Sequence, residues 1–206
     1  MNIFERSANF ANSILSASNS KRLFESSTVK NESLWHQLAG FVFNNKQLLI
    51  RRSRGYAPSP VLLKGDLISD IPVLACGPEL KNTFCMTKGQ KAFLSQHIGD
   101  LENMAVNNAY KNSIDLFKRL FTIKPKLIAC DMHPEYFSTK FAKSYAQDND
   151  LPLIQVQHHH AHIASVMAEH DLKGDVIGVS LDGTGFGDDG RIWGGEFFIA
   201  NLSRYE

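Results

Sequence analysis

The chain has 206 residues, enough for one hydrophobic core or two small ones. Hydrophobic residues make up 43% and charged residues 21%, which excludes a disordered, collagen-like or fibrous chain. Lys plus Arg number 22 and Asp plus Glu 21, for a net charge of +1, so nothing electrostatic points to a nucleic-acid or anionic-membrane partner. No run of about 18 apolar residues is present, so no membrane span is expected. The N-terminus lacks the basic-then-apolar order of a signal peptide. Cys76, Cys85 and Cys130 are odd in number and widely spaced, which fits a reducing, cytoplasmic setting and no disulfide framework. None belongs to a CxxC pair, which argues against a zinc ribbon.

Residues 1–45 are rich in Ser and Asn and sustain no period, although 34–43 has the apolar content of a short helix or strand. Residues 46–71 change character. A short apolar run is followed by Arg51, Arg52, Arg54, Gly55, Pro58 and Pro60, which suggests an extended segment ending a domain. The arginines read as a solvated edge before they read as an anion contact. Residues 72–174 then give three short strands with tight turns: 73–77, 83–87 and 92–98. Asp100 is expected to cap a helix over 101–121, with Leu101, Met104, Ala105, Ala109, Leu116, Leu120 and Phe121 as its apolar set. A strand over 126–130 ends at Asp131, Ser138 is expected to cap a helix through Ala146, and 153–156 is the next strand. Residues 161–170 read as a helix with Ile163, Val166 and Met167 inward and His170 packed in the core. The order β-β-β-α-β-α-β-α is that of a ribonuclease-H-like α/β domain, half of the actin and sugar-kinase ATPase fold. Residues 175–206 open a new hairpin, 176–181 with 191–200, which reads as the start of a truncated second lobe.

Four segments carry chemistry. In QHHHAH (157–162), His158 and His162 are four apart, and five of the eight histidines fall within residues 158–170, after a strand. On one helix face, such a pair has the spacing to ligate a divalent metal such as zinc or iron. Helix-start histidines packed or solvated without metal are the plainer alternative. His159 and His160 point elsewhere, toward supporting or phosphate-contact roles. In DGTGFGDDG (182–190), Asp182 can hold a metal or orient its water. Thr184 offers a hydroxyl, and the glycines allow close backbone approach to phosphate. A flexible hairpin loop has the same composition. In GPELKNT (77–83), Lys81 and Asn82 offer a cation and an amide to a phosphate or to developing charge, or merely form a surface turn. In DMHPEYFST (131–139), Asp131, His133 and Glu135 either line a cleft or connect a strand to a helix.

Six blocks occur in order over 47–206: RRSRGYAP, ACGPELKNTFC, SQHIGDLEN, HPEYFST, VQHHHAHIASVMAEH and SLDGTGFGDDGRIWGGEF. Together they resemble the hydrogenase maturation carbamoyltransferase family HypF. The resemblance implies that RRSRGYAP closes a YrdC-like domain and that residues 72–206 begin a C-terminal domain similar to threonylcarbamoyl transferases. It implies carbamoyl phosphate and ATP as substrates and carbamoyl-adenylate as the activated species. The acceptor would be the C-terminal cysteine of a HypE-like partner, where the group becomes a cyanide ligand of nickel–iron hydrogenase. By position it also implies that His158, His162 and Asp182 are metal ligands, that Gly183, Thr184, Gly185 and Gly187 form the nucleotide loop, and that Lys81 and Asn82 are the polar pair of the first loop. The competing expectation is a non-catalytic metal- or nucleotide-binding module on the same half-fold.

Overall fold

The computed structural model describes residues 57–206, together with two strands before them, β1 (Gly40–Phe43) and β2 (Lys46–Leu49). These two pair antiparallel, Phe43 opposite Lys46. The rest of the N-terminal segment, including Arg51, Arg52, Arg54 and Gly55, lies outside the described residues.

The main sheet comprises β3 (Val61–Leu62), β4 (Val73–Ala75), β5 (Cys85–Lys88), β6 (Lys91–Leu94), β7 (Leu127–Asp131) and β8 (Leu153–Val156). Its order is β3-β6-β5-β4-β7-β8. β3, β6, β5 and β4 form an antiparallel run, whereas β4-β7 and β7-β8 are parallel. Strands β4 and β7 are buried along their whole length, as expected of central strands covered on both faces.

Among the described residues, three helices cover this mixed sheet: α1 (Met104–Leu120), α2 (Phe137–Asp148) and α3 (His158–Glu169). One face packs Leu74, Cys76, Phe84, Met86, Ile128 and Cys130 beneath α1 and α2. The other packs Val73, Ala75, Cys85, Leu94, Leu127 and Ala129, with Ala168 of α3 and Leu202 against them. Beyond α3, β9 (Val176–Ser180) pairs antiparallel with β12 (Glu196–Ala200). Between them β10 (Gly185–Phe186) and β11 (Ile192–Trp193) form a smaller ribbon. Ile163 and Met167 of α3 bury against Phe198 and Ala200. Helix α3 is therefore held between the main sheet and the β9–β12 hairpin.

Four local expectations are corrected. Asn103, not Asp100, caps α1, its side chain accepting from the Val106 N–H at 3.0 Å. Asp100 instead accepts from the Lys81 N–H at 2.6 Å. The buried face of α1 is Tyr110, Ile114 and Phe117, while Met104, Leu116 and Leu120 are exposed. Both sets recur at helical spacing, but the aromatic set fills more volume, and Phe84 packs edge-on to both Tyr110 and Phe117. Ser138 does not cap α2. It is buried, and the Phe137 N–H at the helix start donates to Glu79 at 2.6 Å. On α3, Val166 and His170 face solvent, and the helix begins at His158, three residues before the expected start.

Candidate metal centre

The site forms where the parallel strands β7 and β8 end beside the exit of β9. Gln157 follows β8 directly and caps α3, its Oε1 accepting from the His160 N–H at 2.8 Å. This cap sets the helix start, so His158 and His162 stand one turn apart on one face. Asp182 lies two residues past β9 and is steadied by the Gly183 N–H, which donates to its Oδ1 at 2.8 Å.

His158 Nε2, His162 Nε2 and Asp182 Oδ2 converge. The His158–His162 edge is 3.2 Å, His158–Asp182 is 3.2 Å and His162–Asp182 is 3.1 Å. All three residues are partly buried. Ligands 2.0–2.1 Å from a tetrahedral zinc ion lie about 3.3–3.4 Å apart. The triangle is thus slightly tighter than a loaded site would be, as hydrogen-bonded donors should be. Two imidazoles and one carboxylate, with the ring planes 85° apart, suit zinc or ferrous iron.

Burial by itself would lower the pKa of His158, but hydrogen bonds to Asp131 and Asp182 outweigh it and push the value up to about 9. Hydrogen bonds from His158 and His162 hold the Asp182 carboxyl far below its usual range. Asp131, at the end of β7, places its Oδ2 2.8 Å from His158 Nδ1. The linear chain leaves Asp131 open to lining a cleft or to connecting a strand to a helix. The available signal was that parallel strands bring their ends together: Asp131 pairs with Val156, two residues before His158.

The other named residues separate by environment. His159 is fully buried, neither ring nitrogen has a hydrogen-bond partner among the described residues, and burial, then the neighbouring His158, lowers its pKa to about 4. His160 is buried and donates from Nε2 to the Asn201 carbonyl at 2.7 Å. Neither ring is exposed. In the glycine bend, Gly183 and Thr184 are exposed. Gly185 and Gly187 are buried, and a Cβ on them would meet His159 Nε2 at 2.7 Å and the Trp193 ring at 2.2 Å. These two glycines therefore serve close packing. Gln157 Nε2 donates to the Phe186 carbonyl at 3.4 Å, tying the bend to the start of α3. Asn82 is fully buried and closes the first loop, donating to the carbonyls of Cys76 at 3.0 Å and Pro78 at 2.6 Å. Gly77 in the same loop has φ +72°, and a Cβ there would strike the Thr83 carbonyl oxygen. Lys81 sits half-buried on this loop. The three cysteines are buried, and burial pushes the Cys76 thiol up, so none is an evident nucleophile.

Fold and site together define an α/β protein with a candidate two-histidine, one-carboxylate metal centre. Residues 69–169 match the family model described as the HypF Kae1-like domain, and residues 178–206 match the second subdomain of the carbamoyltransferase Kae1-like domain. The chain belongs to the HypF carbamoyltransferase family, within the C-terminal domain those models describe. It is 47% identical over 152 residues to carbamoyltransferase HypF2 of Cupriavidus necator, covering 74% of this chain and 18% of that protein. It is 43% identical over 166 residues to HypF of Rhizobium leguminosarum bv. viciae, covering 80% and 21%. A crystal structure of full-length HypF in the phosphate- and nucleotide-bound form superimposes with a TM-score of 0.72 and 52% identity, covering 78% of this chain and 20% of that one. The structure of HypF from T. kodakarensis gives a TM-score of 0.67 at 42% identity, over 75% and 20%. The chain thus spans about a fifth of the length of these relatives. Among the described residues, no helix is long and apolar enough to cross a membrane.

Proposed function

We propose that this chain forms the metal-holding part of a carbamoyltransferase acting in nickel–iron hydrogenase maturation. Its main sheet and helices are the ribonuclease-H-like half of an actin/sugar-kinase-like fold over residues 72–174, and residues 175–206 open the second lobe. The observation that carries the reading is the donor triangle of His158, His162 and Asp182, in a chain matching both subdomain models of the family.

The reaction is acyl substitution. The thiolate of a HypE-like acceptor cysteine bonds to the carbonyl carbon of carbamoyl-adenylate, the bond from that carbon to the phosphate oxygen breaks, and AMP leaves with the electron pair. The adenylate itself derives from carbamoyl phosphate and ATP at a YrdC-like site. His158, His162 and Asp182 hold a divalent metal, zinc or iron. When bound, that metal supplies positive charge that binds phosphate or polarises a carbonyl oxygen. Gly183 and Thr184 face solvent beside Asp182 and offer a backbone N–H and a hydroxyl to the nucleotide phosphate. Lys81 offers a cation from the loop that Asn82 holds shut. Holding acceptor and donor together supplies much of the rate.

One observation favours a second reading, a metal-binding module without transfer activity: Asn82, Gly185 and Gly187 are all committed to internal packing. A single assay separates the two. The chain is combined with the remaining HypF domains, a HypE protein, ATP and carbamoyl phosphate, and the mass of HypE's terminal cysteine peptide is followed. A carbamoyl adduct that disappears in His158→Ala/His162→Ala supports the transferase. An adduct that survives the double substitution rejects the metal-dependent version.

A further inference from the structure

We infer that Asp131 is the positioning residue of this centre, holding the His158 ring so that Nε2 presents its lone pair to the ion. The inference rests on the metal reading above.

Asp131 is 5% exposed, and both of its carboxylate oxygens are engaged. Oδ1 accepts from the His133 N–H at 2.8 Å, and Oδ2 lies 2.8 Å from His158 Nδ1. A carboxylate offers only lone pairs, so that second contact requires a proton on Nδ1. In the metal-free ring Nε2 likewise shares a proton with Asp182 Oδ2 at 3.2 Å; a metal takes the place of that proton, and the ring, still protonated on Nδ1, gives it the Nε2 lone pair. Free imidazole side chains favour the opposite tautomer, with the proton on Nε2, which would blunt the ligand. Asp131 is itself anchored: its carbonyl accepts from Thr139 Oγ1 at 3.1 Å, and the Met132 N–H donates to the Val156 carbonyl at 3.2 Å. His133 stacks on Tyr136 with ring centroids 4.1 Å apart and meets Phe186 edge-on at 5.4 Å, so the loop bearing Asp131 also braces the glycine bend. Asp131 lies on the far side of the His158 ring from the triangle and acts through that ring.

An asparagine at 131 has one acceptor oxygen for two N–H groups, so either the loop or the ring loses its partner. The full chain is titrated with Zn2+ alone, comparing wild type, Asp131→Asn and His162→Ala. The expected result is a drop in zinc affinity of about 10–100-fold for Asp131→Asn, against loss of binding for His162→Ala. The readout that a merely structural role would not move is the ring proton. Long-range proton–nitrogen spectra of the zinc-loaded wild-type chain should place the remaining His158 proton on Nδ1. In Asp131→Ala that proton should lose its hydrogen bond and exchange rapidly with solvent. A wild-type ring protonated on Nε2, or undiminished zinc affinity in Asp131→Asn while His162→Ala loses binding, overturns the inference and leaves the metal reading standing. A wild-type chain that binds no zinc overturns both.

Discussion

His158 is where the chemistry of single residues meets. Its ring is gripped at Nδ1 by Asp131 and at Nε2 by Asp182, and the two acids together hold its proton up to a pKa of about 9. An ordinary histidine value is 6.5, so this pairing stabilises the metal-free fold fully below pH 6.5 and is lost as pH rises through about 9. A metal must displace the same proton. Zinc affinity should therefore climb about tenfold per pH unit from pH 6.5 toward 9, with one proton released per ion bound. Calorimetry in buffers of different ionisation enthalpy counts that proton, and a pH-independent affinity would mean that His158 is not a ligand. The HxxxH spacing was visible in the linear chain because both residues lie in one helical turn. The role of Asp131 is not visible there, because its partner is 27 residues away and only the parallel pairing of β7 with β8 brings them together.

At the scale of elements, local signals located the strands and helices to within a few residues but misjudged how they end and which way they face. The expected cap of α2 was Ser138, a sound local choice, since serine often starts helices. The actual partner of that helix start is Glu79, which accepts the Phe137 N–H across 58 residues. Burial raises the Glu79 pKa, and its hydrogen bonds to the backbone at Phe137 and Ser138 oppose the rise. Glu79→Ala should destabilise the fold by about 1 kcal/mol, the usual worth of a helix cap. Urea denaturation of the two proteins measures this, and an unchanged midpoint would deny Glu79 the capping role. The orientation of α1 was misjudged for a related reason. Two interleaved apolar sets share the same period, and the choice between them depends on what the opposing sheet can accommodate, here Phe84 and Met86.

Over the whole molecule, burial is lopsided. Among the described residues the main sheet is covered on both faces, yet β9 and β12 bury only one. Gly178, Ser180, Phe198 and Ala200 turn toward α3, while Ile177 (81% exposed), Val179, Phe197 (74%) and Ile199 turn outward. This period-two alternation with apolar residues on both sides marks a surface that should associate. The isolated 206-residue chain is expected to self-associate and to bind an apolar dye, and Phe197→Ser with Ile199→Ser should reduce both. Sedimentation across a concentration series checks this. A monomer at every concentration would count against the exposed face.

Element order, the helical spacing of the two histidines and the acid–glycine bend after a strand were all readable in the linear chain, because each depends on neighbours a few residues apart. The service of Asp131 to His158, the surrender of Gly185 and Gly187 to packing and the burial of Asn82 were not. Each of these joins or fills space between segments far apart along the chain, and local periodicity carries no information about which distant side chain will arrive there.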